Sequence, residues 1–462
     1  MQIVALVLFS RLLDPHDFGI VAMVTAVVGV AYVLGDFGLS LAALQARDLT
    51  QGQRSNLFWI STGIGVAIGI AILGAAPLLA EAYGQPAVRD VAVALSLVFV
   101  ANGITGQFRT ELNRDRSFGV LASVDVLAQV LGLGLGLGII LLGGRYWGLV
   151  GQQVGAAWFT AFALAVRSGW RPDLPRRGES MRGLLRFGLF TLLAQVVNYI
   201  SSNADSVIIG QRWGAATLGV YNRAWQVARL PVQQIASPLT RVVLPHLSSR
   251  LEDPEGFALA VRRGQLVLTT LLLGTLSLIT AATGPLVDVV LGHGWESATP
   301  FIRAMCLGSA FHAVGYIYYW ILLAHGRTGI LFGAELGARI GMVVLMILAA
   351  SHGAVWVALA SAAGEFAILI IGAAVSLPRV GVSATPLLRS AIRSVVLFAF
   401  AAAVTWATST TIDDWAALAQ LAVLIPAWLA TCVASLGLPA YRRDLDELVR
   451  YGRSVLRRGQ VA

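Results

Sequence analysis

A polytopic bundle of α-helices in a cell membrane is the fold class this sequence predicts, and three observations predict it. Apolar stretches of about 20 residues recur from end to end, the length a helix needs to cross a bilayer. Hydrophobic residues make up 57% of the 462-residue chain, charged residues only 12%, and the mean hydropathy is +0.76. Soluble domains carry about 25% charged residues to cover their surface. Only helices or closed barrels satisfy the backbone in lipid, and continuous runs rich in Leu, Val, Ala and Gly read as helices. The net charge of +9 is no nucleic-acid signal, because all 33 basic residues are Arg and most sit in alternate loops. Cys306 and Cys432 fall inside apolar runs, which argues against a structural disulfide or a metal site.

Spans are read at 18–45, 56–80, 87–111, 118–143, 147–166, 184–211, 216–247, 259–291, 299–325, 328–351, 353–377, 389–409 and 414–437. Met1–Leu13 is apolar, ended by Asp14-Pro15 and too short to cross a bilayer alone. It reads as the second half of a first span, with coding sequence expected upstream, and brings the expectation to about fourteen spans. One set of loops holds Arg47, Arg54, Arg109, Arg114, Arg116, the cluster from Arg167 to Arg186, Arg250, Arg262, Arg263, Arg327, Arg379, Arg389, Arg393 and the tail from Arg442 to Arg458. The opposite loops hold Arg11, Arg89, Arg145 and Arg212. Positive residues stay on the cytoplasmic side, so both termini are expected there, in a cell membrane of the inner or plasma type. The tail spaces Leu445, Leu448, Val449, Val455 and Leu456 on one helical face, a pattern suited to an anionic inner leaflet and its lipids.

The two halves look related. Arg11-Leu12-Leu13-Asp14-Pro15-His16-Asp17-Phe18-Gly19 follows the first span and Arg212-Trp213-Gly214-Ala215-Ala216-Thr217-Leu218-Gly219 follows the seventh. Six spans per half would make the repeats parallel, related by an axis along the membrane normal.

RLLDPHDFGIVA at Arg11–Ala22, GDFGLSLAALQ at Gly35–Gln45, LTQGQRSNLFW at Leu49–Trp59, the long block Leu184–Pro231 and SPLTRVVLPHLSSR at Ser237–Arg250 resemble the Wzx-type polysaccharide flippases. These belong to the multidrug/oligosaccharidyl-lipid/polysaccharide exporter superfamily, and the resemblance points to its colanic-acid and exopolysaccharide branch. It implies two pseudo-symmetric six-helix lobes around a central cavity, at 1–166 and 184–377, joined by a cytoplasmic linker at 167–183. Two additional helices at 378–437 and a basic tail at 438–462 complete the expected division. It also implies ion-coupled alternating access, carrying undecaprenyl-pyrophosphate-linked oligosaccharides from the inner to the outer leaflet. A polysaccharide polymerase is the further partner expected, and no cofactor is.

A pyrophosphate crosses hydrocarbon only where fixed cations and hydrogen-bonding groups lower the barrier, so ionisable groups inside spans are candidates. The span 216–247 holds Arg223 and Arg229, the arginines expected to meet phosphate, with Gln226 beside them. Helix 184–211 adds Asn198 and Asn203 to the cavity candidates, and Asp205, which either pairs with Arg223 or binds the driving H⁺ or Na⁺. Asp36 and Glu365, the latter without an obvious local partner, are the other ion-coupling candidates. Glu335 and Arg339, four residues apart, are expected to neutralise each other. Asp125 is expected to reach Arg116 or water. Gly132, Gly134, Gly136 and Gly138 read as a packing surface or a flexible segment. Pro231, Pro238 and Pro245 bend one stripe of their helix, giving either a flexing gate or permanent curvature.

No catalytic constellation is visible, and the histidines are scattered without acidic partners at metal spacing. A glycosyltransferase or polymerase needs a larger extramembrane segment than any loop here provides. A lipid II flippase or a multidrug antiporter of the same superfamily is the closer alternative, and the buried arginines disfavour a binder of cationic drugs.

Overall fold

Asp14 and Pro15 end one helix and start the next. Helix α1 (Gln2–Leu12) gives way to α2 (Pro15–Asp36), whose free N–H at Asp17 is capped by the Asp14 carboxylate at 3.0 Å. The computed structural model describes the backbone of residues 2–36, 49–175 and 182–459, and the side chains of 4–29, 49–175, 199, 203–327 and 329–450. Every element among the described residues is helical. Ten of these helices are long and apolar enough to cross a membrane. Two compact units divide the chain, Met1–Asn222 and Arg223–Ala462.

In the first unit, α3 (Gln51–Tyr83) opens on a reciprocal cap between Thr50 and Gln53 and stops at Gly84, whose φ of 61° ends the helix. Pro86 then starts α4 (Pro86–Arg114). The α3 and α4 backbones approach closely because small residues face each other. A Cβ on Gly65 would stand 2.5 Å from the Phe99 carbonyl oxygen, and one on Gly103 would stand 2.6 Å from that of Ser61. Helices α5 (Phe118–Leu141) and α6 (Trp147–Arg167) repeat the device at Gly132, Gly136 and Gly148. Gly134 and Gly138 meet nothing within 4 Å, so only alternate members of the glycine series form the packing surface.

Element α7 (Arg182–Ser248) comprises two helices that follow each other across a kink at Gly214, with φ 80° and ψ −176°, and they correspond to the predicted spans 184–211 and 216–247. Where α2 meets α7, the related segments of the sequence repeat touch reciprocally. A Cβ on Gly19 would lie 1.7 Å from the Ala215 carbonyl oxygen, and one on Gly219 would lie 1.8 Å from that of Pro15. Pro15 and Ala215 occupy the same place in the two motifs, as do Gly19 and Gly219. A two-fold relation between the segments requires this exchange. Higher along the same pair, the Tyr199 hydroxyl donates to the Thr25 carbonyl at 2.9 Å.

The second unit comprises the Arg223–Ser248 part of α7 and the helices that follow: α8 (Pro254–Ala281), α9 (Thr283–Val290), α10 (Thr299–Ala324), α11 (Thr328–Ala349), α12 (Ala354–Ile371), α13 (Thr385–Ser409), α14 (Ala417–Ser435) and α15 (Pro439–Gly459). The predicted single span 259–291 is two helices, α8 and α9, meeting at Ala282. Gly284 and Pro285 follow immediately, and proline can join a helix without strain only in its first turn. The core gathers around Trp320, fully buried, whose ring N–H donates to Thr240 at 2.8 Å, with Ile317, Ile321, Leu268 and Leu272. Helix α7 carries Pro231, Pro238 and Pro245 without ending. Helix α12 passes into a π-helical turn, Gly372–Ser376, where a Cβ on Gly372 would stand 2.5 Å from the Tyr318 ring.

The tail forms α15 as its periodicity predicts, and its acidic side chains tie it to neighbours. Glu447 pairs with Arg262 at 3.1 Å and Arg263 at 3.5 Å, both on α8. Asp444 pairs with Arg393 of α13 at 3.0 Å.

Candidate functional site

The polar candidates of α7 fall in both units. In the first, Asp205 is buried, and its carboxylate accepts from the buried Tyr221 hydroxyl and from the Ser206 backbone N–H at 2.6 Å. Sixteen residues separate Asp205 from Tyr221, across the Gly214 break. Asn203 turns its amide back to the Tyr199 carbonyl at 2.9 Å. Asp36 closes α2, but its side chain and that of Asn198 lie outside the described residues.

In the second unit, Arg223 donates to the Gln226 carbonyl oxygen at 2.7 Å, three residues on and one turn away. Gln226 uses its only acceptor there and so aims the guanidinium. Arg229 points elsewhere, as six residues at 100° each require. It donates to Glu365 at 2.9 Å, and its guanidinium carbon lies 6.0 Å from the Trp225 ring centroid.

Glu365 therefore has partners that the sequence did not reveal. One carboxylate oxygen takes Arg229, and the other meets His312 Nδ1 at 2.9 Å. The carboxylate is buried, with 8% of the side chain exposed, while Arg229 keeps 27% and His312 28%. Its cation stands 136 positions away in sequence, on another helix, so no local spacing could have signalled it. His312 was passed over because its acidic partner is equally remote, 53 positions on. Glu335 and Arg339 pair at 3.7 Å as their spacing predicts, one helix further round.

Next to this cluster lies a cavity of 60 Å³ lined by His312, Tyr316, Tyr318, Glu335, Glu365 and Ser376 among others. Among the described residues, the Tyr318 hydroxyl and Ser376 Oγ are buried without a hydrogen-bond partner. Buried hydroxyls are seldom left so, and although the cavity wall is mostly apolar, these two hydroxyls and the His312 and Glu365 side chains give it polar groups.

Two further ionic clusters of the first unit escaped the sequence reading. Glu111, nearly buried, takes Arg54 at 3.0 Å and Gln107 at 2.7 Å; the Gln107–Glu111 spacing of four was the available signal. Arg145, held at φ 43°, binds both Asp14 and Asp17, the latter at 3.2 Å. Asp14, His16 and Asp17 sit together at the start of α2, with the arginine already on both carboxylates. Asp125 pairs with Arg109 through two bonds, one of 3.0 Å, and not with Arg116. Arg109 is on the adjoining α4, whereas Arg116 sits in the left-handed turn between the helices at φ 54°.

Apolar helices that carry buried paired charges, with arginines held by glutamine or carboxylate, define a multi-pass membrane protein of the class of polytopic transporters. Residues 8–300 match the sequence family described as polysaccharide biosynthesis protein, and the chain belongs to that family. It is 24% identical over 338 residues to the lipopolysaccharide biosynthesis protein WzxC of Escherichia coli (strain K12), covering 72% of this chain and 68% of that one. To the teichuronic acid biosynthesis protein TuaB of Bacillus subtilis (strain 168) it is 26% identical over 308 residues, spanning 65% of this chain and 63% of TuaB. The succinoglycan biosynthesis transport protein ExoT of Rhizobium meliloti (strain 1021) is 23% identical over 332 residues, 72% of this chain and 67% of its own. Among solved structures, the lipid II flippase MurJ superposes with a TM-score of 0.76 at 15% identity, covering 96% of both chains. A multidrug resistance MATE family transporter of the MOP superfamily gives 0.63 at 16%, covering 85% of this chain and 93% of that one. At these identities the likeness is one of fold, an all-helical polytopic architecture as predicted.

Proposed function

We propose that this protein flips undecaprenyl-pyrophosphate-linked oligosaccharide repeat units from the inner to the outer leaflet of a cell membrane, for exopolysaccharide or lipopolysaccharide assembly. The carrying observation is the pair of arginines on one stretch of α7, Arg223 aimed by Gln226 and Arg229 braced by Glu365. Fixed, pre-aimed guanidinium groups inside an apolar span are what a diphosphate needs to leave water. Gln226 would bind sugar hydroxyls beside them, and Asn198 and Asn203 are proposed as further hydroxyl-binding groups. The chain acts as a transporter, not an enzyme, and alternating access would be driven by an ion. Both termini are cytoplasmic, on the strength of the arginine distribution between alternate loops. Membrane lipids are partners at the basic tail, and a polymerase would consume the flipped unit on the far side.

The relatives' names place three of them in polysaccharide biosynthesis or transport, which supports a glycan cargo. A lipid II flippase would also need a cation for its pyrophosphate, and the MurJ fold fits it equally well; the family match favours the polysaccharide unit. The test is deletion in the native host, followed by extraction of lipid-linked glycans and probing of their sidedness in spheroplasts. Repeat units accumulating on the cytoplasmic leaflet support the reading. Unchanged surface polysaccharide with no accumulated precursor contradicts it.

A further inference from the structure

Three groups in the Glu365 cluster compete for the role of ion carrier, and the geometry separates them. Glu365 itself is occupied on both oxygens, by Arg229 at 2.9 Å and by His312 at 2.9 Å. Protonating it would leave the Arg229 guanidinium without its counter-charge in a region of low dielectric, which is costly. A metal cation would have to displace one of the same two donors, and beside Arg229 it would meet like charge. Arg229 cannot lose its proton at all. His312 is different. An ionised carboxylate only accepts hydrogen bonds, so the contact makes Nδ1 a donor in every state of the ring. Nε2 is thereby left as the lone-pair nitrogen of the neutral ring, and among the described residues it has no hydrogen-bond donor.

We propose that a proton bound at His312 Nε2 is the coupling ion of this half of the protein, with Glu365 its fixed counter-charge and Arg229 the clamp that keeps Glu365 ionised. The inference rests on the transport reading above. With His312 neutral, Glu365 and Arg229 cancel. With His312 protonated, the cluster carries one positive charge, and the charge a diphosphate cargo would favour arrives with the proton. Water supplies the proton to the Nε2 lone pair and takes it back, and no other bond changes. Histidine is the side-chain type that changes charge between about pH 5 and 8.

The groups facing His312 come from four helices. Arg229 is contributed by α7, Tyr316 and Tyr319 by His312's own α10, Glu335 and Arg339 by α11, and Glu365 by α12. The Tyr316 ring stands edge-on to the imidazole at 5.5 Å. The adjoining 60 Å³ cavity, mostly apolar but with the unpartnered Tyr318 hydroxyl and Ser376 Oγ at its wall, would be the place from which the proton enters and leaves. The π-helical turn Gly372–Ser376 forms part of that wall, and such turns interrupt regular backbone pairing.

The test uses the full chain in lipid nanodiscs with ¹⁵N-labelled histidine. Six histidines give six ring pairs, and His312→Asn identifies one of them by its loss while its amide still donates to Glu365. The expected result is a His312 ring in the Nδ1–H tautomer that takes a further proton at Nε2 when the sample is brought from pH 8 to pH 5. The second arm uses proteoliposomes loaded with undecaprenyl-pyrophosphate-linked N-acetylglucosamine as probe. Flipping driven by an imposed pH gradient should fall at least about tenfold in His312→Asn. A His312 ring of constant protonation across that range overturns the proposal, as does gradient-driven flipping that survives the substitution. A wild-type protein that flips no lipid-linked sugar contradicts the transport reading instead, and the nitrogen spectra still judge His312.

Discussion

Gly19 and Gly219 lie at a reciprocal crossing, each placed so that a Cβ would run into the carbonyl of the other's segment, at 1.7 Å and 1.8 Å. Backbone is on both sides of these contacts, so neither can yield by rotating a side chain. Gly19→Ala and Gly219→Ala should each destabilise the protein by about 1–3 kcal/mol or more, read as loss of membrane abundance and of thermal stability in detergent. Gly134→Ala and Gly138→Ala, where nothing lies within 4 Å, should leave both unchanged. Wild-type stability of Gly19→Ala would show that the helices do not meet as described.

The Arg229–Glu365 ion pair carries a second prediction. Removing one partner of a buried pair leaves a stranded charge and costs about 3–5 kcal/mol. Arg229→Ala should therefore lower abundance sharply, and Arg229→Ala with Glu365→Gln should recover much of it, because neutral groups are no longer stranded. A double variant as unstable as the sum of the singles would deny the coupling. The smaller exposure of Glu365, 8% against 27% for Arg229, predicts that Glu365→Gln alone is the milder single change.

These two predictions draw on unequal amounts of sequence information. Span existence was legible because hydropathy over about 20 residues is a property of the local chain. The repeat was legible too, from Arg11–Gly19 and Arg212–Gly219. What the sequence withheld was anything carried by distant pairs. Glu365 had no partner within its own helix, and its arginine and histidine come from two other helices. The break of 259–291 into two helices was signalled by Gly284-Pro285, a pair that marks a helix boundary, but the apolar run was read through it. Asp125 found Arg109 instead of Arg116 because a helix hairpin, not sequence proximity, decides which side chains face each other.

Topology gives a third prediction. Reporters inserted after Gly178 and after Val461 should both report the cytoplasm, and one at Gly294 should report the opposite side, since the arginine-rich loops alternate along the chain. Equal signals from Gly178 and Gly294 would mean an odd number of crossings has been misjudged between them.

Arg223 is the side chain on which the transport account turns. Its guanidinium is held by Gln226 at 2.7 Å, so Gln226→Leu should loosen its aim and lower transport several-fold with little change in abundance. Arg223→Lys keeps the charge but loses the two-pronged fit to phosphate, and should transport at an intermediate rate.

The most direct measurement is flipping of undecaprenyl-pyrophosphate-linked N-acetylglucosamine in proteoliposomes, compared for wild type, Arg223→Lys and Arg223→Ala at matched protein content. The account predicts a graded series, with Arg223→Ala reduced at least about tenfold, the equivalent of about 1.4 kcal/mol in a rate barrier, while its thermal stability is retained. Wild-type flipping by a stably folded Arg223→Ala protein would contradict the account.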